Sequence, residues 1–134
     1  MIKYLLLLLL SLSLVYAEHV RWFGNYSKAL SIAKKEGKPM MVFLVEKECQ
    51  LCRDTIKKYF MGQPYIELFN LKVVSVIVVN NGKASYPIEL YYSTIFPTLF
   101  FVDSQSESFL SEPFYGCKDD DRLRSEIDRM LRLE

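Results

Sequence analysis

Met40-Met41-Val42-Phe43-Leu44-Val45 runs straight into Glu46-Lys47-Glu48-Cys49-Gln50-Leu51-Cys52 and then Arg53-Asp54-Thr55-Ile56-Lys57-Lys58-Tyr59-Phe60. Six apolar residues, several of them β-branched or aromatic, have the length and chemistry of a buried strand. Counted from Cys52, Ile56, Tyr59 and Phe60 fall at i+4, i+7 and i+8, which is one face of a helix. The two cysteines therefore sit at a strand-to-helix junction, a turn apart on one side, with Cys49 at the helix N-terminus.

Backbone N–H groups at a helix start lack intrahelical partners and carry partial positive charge, so they favour a thiolate. A free cysteine titrates near ~8.5, and placement in a Cys-X-X-Cys motif at a helix N-terminus lowers that value. Lys47 and Arg53 add to the effect, whereas Glu46 and Glu48 oppose it. Cys49, at the exposed end, is the expected attacking nucleophile; Cys52, one turn further in, is the expected resolving thiol. A structural disulfide or an inert pair is the plainer alternative. A zinc site calls for about four ligands, and the only other Cys and His residues are Cys117 and His19, so no metal is expected.

Upstream, Lys3 is a short basic segment, Tyr4 to Leu10 with Leu12, Leu14 and Val15 is apolar, and Val15-Tyr16-Ala17 ends in small-residue form. This pattern is that of a secretory signal peptide over residues 1–17, cleaved near Ala17. An uncleaved anchor is the alternative, but a spanning helix needs about 20 apolar residues, and Ser11 and Ser13 interrupt this stretch. Residues 18–134 then make one domain in an exported compartment, periplasmic or secreted, where disulfides form and persist. Lys3 is the only charge in the leader, so the rest carries 16 basic and 16 acidic residues. That balance argues against a nucleic-acid partner. A monomer is expected. Three cysteines leave Cys117 over once Cys49 and Cys52 pair.

The remaining chain alternates elements. His19 to Phe23 suggests an edge strand. Asn25 or Ser27 caps a helix with the face Tyr26, Ala29, Leu30 and Ala33, stopped by Gly37 and Pro39. Gly62 and Pro64 break the path before a helical piece containing Tyr65, Ile66, Leu68 and Phe69. Val73 to Val79 predicts a strand buried on both faces, and Asn80-Asn81-Gly82 a turn. Pro87 to Tyr92 is expected to form a short helix starting at the proline. Pro97 opens a strand to Asp103, Ser104 to Ser108 turns, and Phe109 to Tyr115 is expected to return as an edge strand containing Pro113. Asp119 to Asp121 open a last helix whose buried stripe is Leu123, Ile127, Met130 and Leu131. This order argues an α/β sandwich around a mixed sheet.

Two motifs at a fixed separation, Cys49-Gln50-Leu51-Cys52 after a hydrophobic strand and Phe96-Pro97-Thr98-Leu99 further on, make the chain resemble the thioredoxin superfamily. The likeness is to its small exported disulfide-reductase members and covers residues 29–131. It implies a thioredoxin-like three-layer sandwich, with a mixed sheet of about four to five strands flanked by helices. It also implies that Pro97 is a cis-proline packed against the disulfide, and that the Phe96 backbone pairs with an extended client. Gly116-Cys117 would then border the active-site surface, making Cys117, Glu48 and Arg53 candidate modulators of the pair. The implied activity is thiol–disulfide exchange on client proteins, fed by a membrane or thioredoxin-type redox partner. No dissociable cofactor enters, because electrons pass through the Cys49–Cys52 disulfide. The rival is a non-catalytic thioredoxin-like binding module with a structural disulfide. Three departures from the family pattern stand out: Glu48 replaces the Trp before the first cysteine, Gln50-Leu51 replaces Gly-Pro, and Phe43 replaces the buried acid. They leave direction open, with reduction favoured.

Overall fold

A computed structural model of the chain describes residues 2–4, 19–81, 85–118 and 120–131. The signal peptide expected over residues 1–17 lies outside them apart from 2–4, as do Gly82 and Asp119. Among the described residues no helix is long and apolar enough to cross a membrane.

From residue 19 onward the described elements follow in the order β1 (Trp22–Phe23), α1 (Tyr26–Glu36), β2 (Met40–Val45), α2 (Gln50–Tyr59), α3 (Tyr65–Lys72), β3 (Val74–Val79), β4 (Thr98–Val102), β5 (Phe114–Tyr115) and α4 (Asp120–Leu131). The strands form one five-stranded sheet in the order β1-β3-β2-β4-β5. Pairing is parallel for β1 with β3 and β2 with β3, and antiparallel for β2 with β4 and β4 with β5. The sheet is therefore mixed, with helices on both faces, as expected.

β2 is central because it is apolar on both faces, a pattern only a strand covered on both sides can bury. Met41 and Phe43 join Leu99, Phe101 and Phe114 in the core beneath α2, α3 and α4. Met40, Val42 and Leu44 join Val74, Val76, Val78 and Phe100 against α1. Each fully buried Met, Leu or Phe contributes about 1.5–3 kcal/mol. Phe43 anchors an aromatic cluster, with ring centroids 5.6 Å from Trp22 and 6.0 Å from Phe60.

α1 begins where the Asn25 side chain accepts the Lys28 N–H at 2.9 Å. It ends at Gly37, left-handed at φ 65°, beyond which the Lys38 N–H bonds the Ala33 carbonyl. Such an end requires a residue free to adopt positive φ. All four stripe residues of α4 are buried.

Two expectations fail. Pro87 to Tyr92 is a single turn, not a helix: the Leu90 and Tyr91 N–H groups both reach the Pro87 carbonyl and no further turn follows. Six residues, among them Tyr91, which the core claims for itself, are too few to offset helix nucleation. The expected strand over Phe109 to Tyr115 shrinks to two residues, plus an isolated bridge between Val102 and Phe109. Between that bridge and the Leu99–Phe114 pair, three steps along β4 face five on the other side. Two residues are thus looped out in the segment holding Pro113, which has no N–H to give a ladder.

Candidate active site

β2 delivers the chain to a turn at Lys47 and Glu48, with Glu48 left-handed at φ 60°. Cys49 follows in extended conformation as the N-cap of α2. Its Sγ accepts the Cys52 N–H at 3.0 Å, occupying one of the orphan donors of the helix start. Cys49 and Cys52 form a disulfide, with their Cα atoms 5.2 Å apart. Cys52 is buried in the core under α2, whereas Cys49 is only partly covered and Leu51 is exposed beside it. The charged candidates lie outward. Glu48 is exposed, and the Arg53 guanidinium donates to Gln50, whose amide in turn donates to Asp54, both at 2.8 Å.

A second segment packs against the same core as the cysteines. The Phe96–Pro97 peptide bond is cis, Pro97 is buried, and Phe96 is half-buried against both halves of the core. Two hydroxyls unassigned in the sequence hold this loop. The Ser93 Oγ donates to the Ile95 carbonyl at 2.9 Å and accepts the Ile95 N–H at 3.0 Å. The Thr98 Oγ1 lies 2.6 Å from the Ile95 carbonyl and 2.9 Å from the Ser93 Oγ. A serine two residues before its partner is the pattern of a serine turn, the one local signal for it. Upstream, Tyr91 pins the loop into the α1-side core, 5.2 Å from the Phe100 ring and hydrogen-bonded to the Tyr26 hydroxyl.

A third segment closes the site. The Gly116 N–H donates to the Pro97 carbonyl at 2.7 Å. Cys117, next in the chain, is left-handed at φ 51° and 6% exposed. Its thiol points to the Phe114 carbonyl at 3.7 Å, and burial pushes its pKa up to about 12. Gly116 and Cys117 line a cleft of about 270 Å³ with Leu51, Thr55 and Tyr59 of α2. Cys117 therefore faces the flank of the cysteine helix, shielded from solvent, as a free thiol. Among the described residues no group of three His, Cys, Asp or Glu side chains could hold a metal ion.

Comparison with solved structures gives the same architecture. A "DsbH Oxidoreductase" superposes with a TM-score of 0.66 at 20% identity, over 92% of this chain and 94% of that one. A putative disulphide-isomerase from Bacteroides thetaiotaomicron gives 0.67 at 21%, over 90% and 99%. A thioredoxin from Thermus thermophilus gives 0.62 at 18%, over 84% and 88%. The chain has a thioredoxin-like fold. No protein-family model matches the sequence, and no curated protein does.

Proposed function

We propose that the chain is a thiol–disulfide oxidoreductase of an export compartment, periplasmic or extracellular, acting as a reductase of client disulfides. One observation carries this: the Cys49 sulfur caps α2 and takes the Cys52 N–H at 3.0 Å, so a donor and the positive end of a helix both face the sulfur that would bear the charge. In the reduced chain the Cys49 thiolate attacks one sulfur of a client disulfide, forming a mixed disulfide and expelling the other client sulfur as a thiolate. Cys52 then loses its proton and attacks the Cys49 sulfur. The Cys49–Cys52 bond forms, the mixed disulfide breaks, and the client leaves with two electrons and, after protonation, two thiols.

Phe96 and Pro97 hold the client in this scheme. The Phe96 N–H and carbonyl have no hydrogen-bond partner among the described residues, and an extended peptide laid along them would gain backbone bonds of the kind strand addition uses. The basic, apolar and small-residue pattern of residues 1–17 supports export. An oxidising compartment then requires a membrane or thioredoxin-type donor to regenerate the dithiol. No dissociable cofactor takes part.

Equilibration of residues 18–134 with glutathione, read by mass-spectrometric thiol counting, tests the scheme. A potential at or below about −250 mV supports a reductase. One near −120 to about −180 mV makes the chain an oxidase or isomerase instead. Turnover that survives Cys49→Ser rules out Cys49 as the nucleophile, and a pair that never equilibrates leaves a binding module with a structural disulfide.

A further inference from the structure

Ile95 is 50% exposed while its backbone polar groups are both spent. Its N–H goes to the Ser93 Oγ, and its carbonyl faces the Ser93 and Thr98 hydroxyls. Pro97 has no N–H, and its carbonyl is taken by Gly116. Of the three consecutive residues at the cis bond, Phe96 alone keeps both backbone groups without a partner among the described residues.

We propose that Ser93 is a positioning residue that sets the register in which a client strand pairs with this loop. The proposal rests on the oxidoreductase reading, in which Phe96 is the pairing residue. By consuming both polar groups of Ile95, the Ser93 hydroxyl removes the only competing pair of backbone groups next to Phe96. Register matters because side chains alternate along a strand: a client paired one residue out presents its opposite face, turning its cysteine away from Cys49. Ser93 is 8% exposed and Thr98 fully buried, so water does not compete for these bonds. Tyr91 fixes the chain before Ser93, and β4 starts at Thr98 behind it. The serine hydroxyl is the pin between two anchored ends.

The test is single-turnover reduction by the pre-reduced chain of two substrates: an extended peptide carrying one cysteine as a glutathione mixed disulfide, and bis(2-hydroxyethyl) disulfide, which has no strand to pair. In Ser93→Ala the ratio of the peptide rate to the small-disulfide rate falls about tenfold, the size expected for one or two lost hydrogen bonds, and Ser93→Thr restores it. An unaltered ratio in Ser93→Ala, or a fall that Ser93→Thr does not reverse, overturns the proposal. A wild-type chain that reduces neither substrate defeats the oxidoreductase reading and the proposal together.

Amide hydrogen exchange tests the same point with Ser93 left in place. The Ile95 amide is protected in the free protein, and the Phe96 amide becomes protected only when peptide is trapped on Cys49 in Cys52→Ser. Fast exchange at Ile95 in the free protein, or no gain at Phe96 on trapping, overturns the assignment of Ser93.

Discussion

Gly116 donates its N–H to the carbonyl of Pro97 at 2.7 Å, so the loop after β5 and the loop before β4 are fastened together at the cleft that Gly116 shares with Leu51 of α2. Gly116 holds this position at φ 72°, and a Cβ there would come 3.3 Å from the Ile95 Cγ2. Left-handed backbone costs an L-residue about 1–2 kcal/mol. Gly116→Ala should lower stability in urea by at least about that amount, and Gly116→Asn by less, because Asn tolerates this region better. Equal stabilities for Gly116→Ala and wild type would show that the backbone there is not held at positive φ.

Phe43 occupies the position at which the family resemblance would place a buried acid, and it is sealed between Trp22 and Phe60. The core that also contains Cys52 is apolar at this point. Phe43→Asp should therefore prevent folding at neutral pH: losing a buried aromatic costs about 3–5 kcal/mol, and an unpaired charge adds a desolvation cost. Phe43→Leu, by contrast, should keep the far-ultraviolet circular dichroism of the wild type. A folded, cooperative Phe43→Asp chain would mean that water or a partner charge reaches this pocket.

These two sites also mark how far the sequence is legible. Met40 to Val45 and the cysteine spacing state their own structure, because a run apolar on both faces has one stable place in a sheet, its centre. Cys49 as N-cap follows from the same junction. Ser93 does not stand out, since its turn resembles many loop serines and its bonds to Ile95 and Thr98 emerge only in the folded loop. Pro87 to Tyr92 misleads because proline starts helices, yet Tyr91 is claimed by Tyr26 and Phe100 from outside the segment. Phe109 to Tyr115 misleads because its apolar ends do form strand contacts while its middle is looped out. Local pattern is outweighed in each case by a contact distant in sequence.

Tyr26 bonds two partners at once, donating to the Glu107 carboxylate at 2.8 Å and lying 2.8 Å from the Tyr91 hydroxyl. A hydrogen bond to a charged group contributes about 1.5–3 kcal/mol. Tyr26→Phe should therefore destabilise the chain by about that amount. Tyr91→Phe, which leaves the Glu107 bond intact, should cost nearer about 1 kcal/mol. Urea unfolding of the two variants gives the order; the reverse order would mean that the carboxylate contact contributes little.

Cys117 supplies a pH dependence whose sign is set by its burial. Desolvation raises the thiol from 9.0 to about 12 in the folded chain, so the folded state keeps a proton that the unfolded state sheds. The contribution is fully present below the unfolded value and is lost as pH rises from 9.0 toward about 12. Tyr91, raised by burial from 10.0 to about 12, and Tyr26, raised chiefly by burial, act in the same direction but begin a unit later. By about pH 10.5 the thiol alone should account for about 2 kcal/mol of lost stability. With the Cys49–Cys52 disulfide intact, urea unfolding from pH 8 to about 10.5 should show wild type losing stability more steeply than Cys117→Ala, with the curves diverging from pH 9 upward. Parallel curves would mean that the thiol ionises as readily in the folded chain as in the unfolded one, and that the cleft beside α2 is open to water.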